Sequence, residues 1–130
     1  MERLDRKSNL NNSSSTVVRL WNQVALDAIR EERPEPTVIS RALHILHAVI
    51  YDIWSIASRK GRPAYSKINN KQLEQSIDIS DAINTAAHHC LKALFPEQKY
   101  RFDRLLKSQN SSNPGSISGE FGKDIATQIL

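Results

Sequence analysis

Two side chains suited to binding an oxyanion lie six positions apart in an apolar stretch of the sequence. Arg41 and His47 belong to SRALHILHAVIYDIWS, residues 40–55. Guanidinium and imidazolium groups both donate charge-assisted hydrogen bonds, so the pair is a candidate catalytic site. On a continuous helix, however, the two side chains diverge by about 120°, whereas an oxyanion needs several converging donors. The favoured interpretation is a structural helix with no catalytic residue, and Arg41 and His47 remain as candidates.

The histidines of this stretch could instead bind a metal. His44 and His47 are three residues apart and share a helix face, but a metal site needs further ligands that the sequence does not place. The alternative is a polar stripe that hydrogen-bonds to a neighbouring element, with Tyr51 and Asp52 as local partners. We favour this alternative and expect His47 and Tyr51 to contact another helix rather than a ligand.

A second group of candidate ligands is formed by His88, His89 and Cys90. Consecutive helical residues diverge by about 100°, so these three side chains cannot converge on one ion while the helix is intact. Cys90 lies in the middle of a predicted apolar helix face, where a thiol is usually inert as a nucleophile. The sequence also has no glycine-rich phosphate loop, no G-x-S-x-G elbow and no C-x-x-C pair. We therefore predict neither a metal nor a cofactor for this chain.

A basic helix face offers a different kind of function. Arg101, Arg104 and Lys107 lie within about 120° on a helix and could meet an acidic partner or a phosphate backbone. Glu97 and Asp103 dilute that charge, and the same pattern describes any solvated helix face. Nucleic acid is therefore not the expected partner.

The elements that must position these side chains are helices. Apolar residues recur with the helical period in five segments, and strand-like alternation is nearly absent. Pro34 and Pro36 must separate the first two segments, because proline lacks an amide donor. The predicted fold class is all-α, a bundle of about five helices; the first starts at Thr16 and the others cover about residues 37–58, 80–95, 96–108 and 116–130.

Composition agrees with a single globular domain. The chain has 130 residues, a net charge of +4 spread along its length, and one cysteine, which excludes an intramolecular disulfide. Residues 1–15 are polar and predict a flexible lead-in, whereas residues 16–130 predict the helical domain. No apolar run reaches the roughly eighteen residues of a membrane span, and the start lacks the apolar core of a signal peptide. These features predict a soluble cytoplasmic protein with no membrane partner.

A family resemblance covers about residues 17–130. The segments are, in order, VVRLWNQVALDAIREERPEPTVISRALHILHAVIYDIWS, DAINTAAHHCLKALFPEQ and SGEFGKDIATQIL. Their pattern is similar to the N-terminal helical region of bacterial vanadium-dependent haloperoxidase-like proteins, which share a superfamily with type-2 phosphatidic-acid phosphatases. The matching residues are Trp21-Asn22, Ala25-Leu26, Ala28-Ile29-Arg30, Pro34, Pro36, Arg41-Ala42-Leu43, His47-Ala48, Tyr51-Asp52, Trp54, Ala86-Ala87-His88, Leu91, Leu94-Phe95-Pro96 and Gly122.

The resemblance implies an all-α fold and a site for vanadate or phosphate. That site uses the motifs K-x6-R-P, P-S-G-H and S-R-x5-H, supplied in this order by the family's C-terminal half. Here Ser55 stands where the lysine before Arg62 is needed, and no histidine follows Ser116. Arg41 and His47 fit the third motif by spacing but precede everything else. We therefore expect a helical domain that is incomplete at its C-terminus and that has vanadate only when the family's C-terminal half is present.

Two functions follow from these observations. The first is the N-terminal scaffold of a protein for peroxide-dependent halide oxidation, or of a related phosphatase, which is inactive alone. Its expected partner is the missing C-terminal half, or a second copy bound through an exposed apolar patch. That patch would combine part of the second helix with the apolar residues of the fifth, Phe121, Ile125, Ile129 and Leu130. The alternative is a stand-alone helical binding module that uses the basic helix face on an acidic partner.

Overall fold

The described part of the chain, in a computed structural model, comprises residues 14–66, 77–109 and 116–130; its regular elements are helices, and it contains no strand. This confirms the all-α bundle of about five helices. The helices are α1 (Ser14–Glu32), α2 (Pro36–Ser58), α3 (Ile79–Leu94), α4 (Lys99–Ser108) and α5 (Ile117–Ile129). Residues 1–13 of the predicted lead-in lie outside the described residues, whereas Ser14 and Ser15 already belong to α1.

Local sequence explains where α2 begins and ends. Pro36 occupies the first turn of the helix, where an amide donor is not needed, and Arg33 turns the chain before it with a φ of 50°. At the other end, Arg59 adopts a left-handed conformation with φ 59°, and its amide donates to the carbonyl groups of Ser55 and Ile56. Gly61 follows with φ 71°, so the chain leaves the helix through a tight turn.

Side-chain caps begin α3 and α5. The carboxylate of Asp78 accepts from the amide of Asp81 at 3.1 Å and so caps the start of α3. The hydroxyl of Ser116 accepts from the amide of Gly119 at 3.0 Å. Both helices therefore begin where the sequence predicts, within a residue or two.

The start of the fourth helix differs from the prediction. Pro96 begins a short 3-10 helix, Pro96–Gln98, and the α-helix begins only at Lys99. The amide of Gln98 donates to the carbonyl of Phe95 at 3.0 Å, a tighter turn than an α-helix allows. Phe95 is buried beneath this turn. The tight turn lets the chain change direction between α3 and α4.

Helix α3 lies at the centre of the bundle and packs against the other four helices. Its inward face consists mainly of small side chains, Ala82, Ala86, Ala87 and Cys90, all of them fully buried. It packs tightly against α5, where Gly122 faces the backbone of Ala82. A β-carbon at Gly122 would overlap the carbonyl oxygen of Ala82 and would lie 3.0 Å from its α-carbon. The absence of a side chain at Gly122 therefore sets the distance between these two helices.

The prediction that the fifth helix exposes an apolar patch is wrong for the middle of α5. Phe121 is 5% exposed and Ile125 is fully buried, because α5 inserts its apolar face against α3. Leu130 remains exposed, and Ile129 is half-buried. Within the described ranges, no helix is both long and apolar enough to cross a membrane.

Candidate functional site

The structure does not bring the two candidate catalytic residues together. Arg41 and His47 both lie on the exposed side of α2, and no hydrogen bond joins their side chains. The Nε2 atom of His47 instead lies 3.1 Å from Oδ1 of Asn22 on α1. This contact confirms that His47 hydrogen-bonds to another helix.

The two histidines of α2 also have separate partners. The Nε2 atom of His44 lies 2.9 Å from the hydroxyl of Tyr65, and the two rings meet edge to face at 5.7 Å. His47 turns away toward Asn22, so the predicted pair does not converge. Across the described residues, no group of three or more histidine, cysteine, aspartate or glutamate side chains could hold a metal. Sequence reasoning gave no signal for Tyr65, because the loop after α2 has no periodic pattern.

The expected role of Asp52 as a partner of the histidines is wrong. Its side chain is fully buried, and both carboxylate oxygens accept hydrogen bonds from the loop after α2. The amides of Ala64, Tyr65 and Ser66 donate to it at 2.6, 2.9 and 2.7 Å. A carboxylate with three amide donors is a strong local anchor, so Asp52 holds the loop against the helix.

The adjacent histidines of α3 diverge as the helical geometry predicts. His88 faces α4, where its Nε2 donates to Oδ1 of Asp103 at 2.6 Å, and this hydrogen bond lowers the pKa of Asp103. His89 faces α5, with its Nε2 3.4 Å from the hydroxyl of Thr127. Burial, followed by the positive charge of Lys123, lowers the pKa of His89. The two rings therefore serve contacts to different helices.

Cys90 lies on the inward face of α3 and is fully buried. Burial raises the pKa of its thiol to about 12, because a thiolate would lose its hydration there. The reactive thiolate is therefore almost absent at neutral pH, in agreement with the structural role that the sequence favours.

We expect native Cys90 to resist thiol-specific labelling. At pH 8 and without denaturant, reaction with a chromogenic disulfide should be at least about a hundredfold slower than in denaturant, because labelling must await local opening of the fold. The measurement is the rate of colour release with and without denaturant. A Cys90→Ser protein controls for background, and fast labelling of the folded protein would contradict the buried placement.

A buried hydrogen bond between α1 and α3 escaped the sequence reasoning. The indole Nε1 of Trp21 donates to Oδ1 of Asn84 at 2.7 Å, and both residues are buried. The available signal was chemical, since a buried tryptophan usually finds an acceptor. Helical periodicity separates apolar from polar positions, but it does not identify which polar residue would face Trp21.

The predicted basic face of α4 is divided by ion pairing. Arg101 pairs with Glu31 on α1, and its Nε donates to Oε1 of Gln98 at 2.7 Å. The hydrogen bond from Arg101 lowers the pKa of Glu31. Arg104 and Lys107 remain exposed. The three cations therefore do not form one free surface.

A groove lies where α1, α2 and α3 meet. It has a volume of about 550 Å³ and is lined mainly by apolar and aromatic side chains, namely Val18, Ile50, Tyr51, Trp54 and Ile83, with Ser14, Ser15 and His47 at its polar edge. Tyr51 and Trp54 are 43% and 40% exposed, and their rings lie 6.1 Å apart. The expectation that Tyr51 hydrogen-bonds to another helix is wrong for the described residues. Its ring instead forms one wall of the groove.

Comparison with known proteins yields no relative for this chain: no family model, no curated protein and no solved structure matches it. The geometry of the described residues is therefore the basis for a functional interpretation.

Proposed function

We propose that the chain is the helical scaffold portion of a vanadium-dependent haloperoxidase-like protein or of a related phosphatase. In such a protein, bound vanadate supports the oxidation of a halide by peroxide, or the same pocket hydrolyses a phosphate ester. The residues of this chain would hold the helices in place, while residues outside it would supply the oxyanion pocket.

One observation carries this proposal: residues of the resembling pattern make the contacts that hold the helices and their loops together. Trp21 donates across the core to Asn84, and Asp52 fixes the loop after α2. Gly122 allows α5 to pack directly on the backbone of Ala82. Residues that match the family pattern therefore hold helices and a loop in place, which is the role that a scaffold requires.

The described residues do not fit vanadate. A trivalent oxyanion needs several converging donors, but Arg41 and His47 lie exposed on one helix, and His47 already contacts Asn22. Arg101, the first residue of the basic face on α4, is occupied by Glu31. The pairing of Arg101 also weakens the alternative of a binding module, because that function needs the basic face to be free.

Activity and vanadate binding of the purified chain test the proposal. We expect no halide oxidation with vanadate and peroxide, no phosphatase activity, and no broadening of the vanadium NMR signal. Because neither residue forms an oxyanion site, Arg41→Ala and His47→Ala should give the same result. Turnover that is lost in His47→Ala would make the Arg41 and His47 pair catalytic and would overturn the proposal.

A complementation experiment tests the positive part of the proposal. The chain should be co-expressed with a polypeptide from the same source that carries K-x6-R-P, P-S-G-H and R-x5-H. We expect a complex that binds vanadate only when both components are present. The matched control replaces the histidine of the last motif, which should abolish vanadate binding but leave the complex intact. Failure of the two components to associate would refute the scaffold role.

A further inference from the structure

The groove between α1, α2 and α3 has the size and lining of a small-molecule site. Its volume of about 550 Å³ lies within the range of about 300–1,000 Å³ that ligand pockets occupy. Its walls are formed by two aliphatic side chains of α1 and α2, Val18 and Ile50, and by the aromatic rings of Tyr51 and Trp54. No acidic side chain lines it. The interior of the groove therefore favours an apolar ligand, or the apolar part of a larger one.

A cationic loop borders one edge of this groove. The hydroxyl of Tyr51 lies 3.3 Å from the position that a β-carbon on Gly61 would occupy, so one wall of the groove extends to this loop. Lys60 and Arg62 flank Gly61, and both are exposed. Two exposed cations therefore flank the glycine that the hydroxyl of Tyr51 approaches.

The segment that contains this loop has no acidic residue after Asp52. Residues 53–66 include Lys60 and Arg62 and contain no aspartate or glutamate. The nearest carboxylate along the chain, that of Asp52, is buried and accepts from the amides of residues 64–66. An anion at the edge of the groove would therefore meet positive charge without an opposing carboxylate from this segment.

We propose that this groove binds an amphiphilic anion, a small molecule whose apolar body lies between Ile50, Tyr51 and Trp54 and whose anionic group meets Lys60 and Arg62. The apolar lining of the groove binds the apolar part of the ligand, and the cations of the loop attract its anionic group. This site is separate from any oxyanion pocket, because its cations stand at the edge of an apolar groove rather than converging on one point. The inference is independent of the proposed function.

The test uses three probes that separate the two features. Decanoate has both an apolar chain and a charge, decanol lacks the charge, and butyrate lacks the long chain. Binding to the full chain is measured by calorimetry below the micelle concentration. We expect decanoate to bind at least about tenfold more tightly than either of the other probes, because each of them lacks one of the two interactions.

Two variants assign the binding to named residues. Trp54→Ala should weaken decanoate and decanol alike by about tenfold, since it removes one apolar wall. The double variant Lys60→Glu, Arg62→Glu should weaken decanoate by about tenfold at low salt, less at high salt, and leave decanol unchanged. The matched control, Arg104→Glu with Lys107→Glu, makes the same charge change on α4 and should leave both ligands unaffected. Circular dichroism confirms that each variant is folded.

Other occupants of the groove give different results, and each would overturn the proposal. Equal binding of decanoate to the wild type and to the loop double variant would show that Lys60 and Arg62 do not contact the anionic group of the ligand. Binding to anionic lipid vesicles without binding to monomeric decanoate would indicate a membrane surface. Decanoate binding only after deletion of residues 1–13 would show that the chain fills its own groove. Self-association that Trp54→Ala abolishes, without decanoate binding, would indicate a second copy.

Discussion

Gly122→Ala is expected to destabilise the protein by about 1–2 kcal/mol, although the substitution improves the intrinsic helix propensity of α5. In an exposed helix interior, replacing glycine by alanine stabilises by about 1 kcal/mol. Here the new β-carbon would overlap the carbonyl oxygen of Ala82 and approach its α-carbon to 3.0 Å. Backbone atoms cannot turn aside as a flexible side chain can, so α3 and α5 must separate. Such overpacking typically costs about 1–3 kcal/mol, and a clash with backbone atoms lies at the upper end of that range. The propensity gain offsets about 1 kcal/mol of this cost, which leaves a net loss.

Urea unfolding of Gly122→Ala and the wild type measures this difference. Lys123→Ala is the matched control, because Lys123 is the next residue of α5 and is exposed; its effect should stay within about 0.5 kcal/mol. A second variant, Gly122→Ala with Ala82→Gly, should not recover stability, since the overlap is with the backbone of Ala82 rather than with its methyl group. If Gly122→Ala is as stable as the wild type, α5 does not pack this closely on α3.

The helices could be predicted because each has an apolar face that its sequence repeats at the helical period. The predicted second helix, 37–58, matches α2 (Pro36–Ser58) to within one residue. Pro36 marks its start, and Arg59 and Gly61 turn the chain at its end through left-handed conformations. These are local determinants, and a single sequence contains them in full. Burial of the α3 face, including Cys90, followed from the same periodicity.

The contacts that define the site could not be predicted, because they depend on how the helices rotate and cross. Periodicity separates an apolar half from a polar half, but it does not say which polar residue faces which helix. Asp52 lies next to the polar stripe of α2 along the sequence, yet it is fully buried under the loop. Trp54 is a large, mainly apolar residue of α2, yet it stays 40% exposed. The groove arises because no described helix covers this edge of α2 completely.

Burial on α5 failed as a prediction for a related reason. The fifth helix was expected to expose Phe121 and Ile125, because the sequence does not show which helix would cover them. Partner choice, however, was decided by small residues on α3, since Ala82 and Ala86 leave room for another helix to approach. Gly122 on α5 completes this fit. A stripe of small residues in one helix and a glycine in another were both visible in the sequence, but only the structure pairs them.

Asp52→Ala is expected to destabilise the protein by about 2–4 kcal/mol and to release the loop after α2. The wild-type carboxylate accepts from the amides of Ala64, Tyr65 and Ser66 at 2.6–2.9 Å. Hydrogen bonds to a charged group contribute about 1.5–3 kcal/mol, and a buried donor without a partner costs about 1–3 kcal/mol. Water can replace the acceptor at the exposed residues Ala64 and Tyr65, but less readily at Ser66, which is 8% exposed. The expected loss is therefore smaller than the sum of three charged hydrogen bonds.

Hydrogen exchange separates loss of this anchor from general unfolding. In Asp52→Ala, the amides of Ala64, Tyr65 and Ser66 should exchange faster by at least about tenfold under conditions where α3 amides remain protected, because the loop opens before the bundle. Asp52→Asn keeps one acceptor oxygen but places a donor against the amides, so its stability should fall between those of the wild type and Asp52→Ala. Asp124→Ala, at an exposed carboxylate of α5, should change neither stability nor loop exchange. Unchanged exchange at residues 64–66 in Asp52→Ala would mean that other contacts hold the loop, such as those of Tyr65 with His44 and of Ser66 with Gln128. The assigned role of Asp52 would then be wrong.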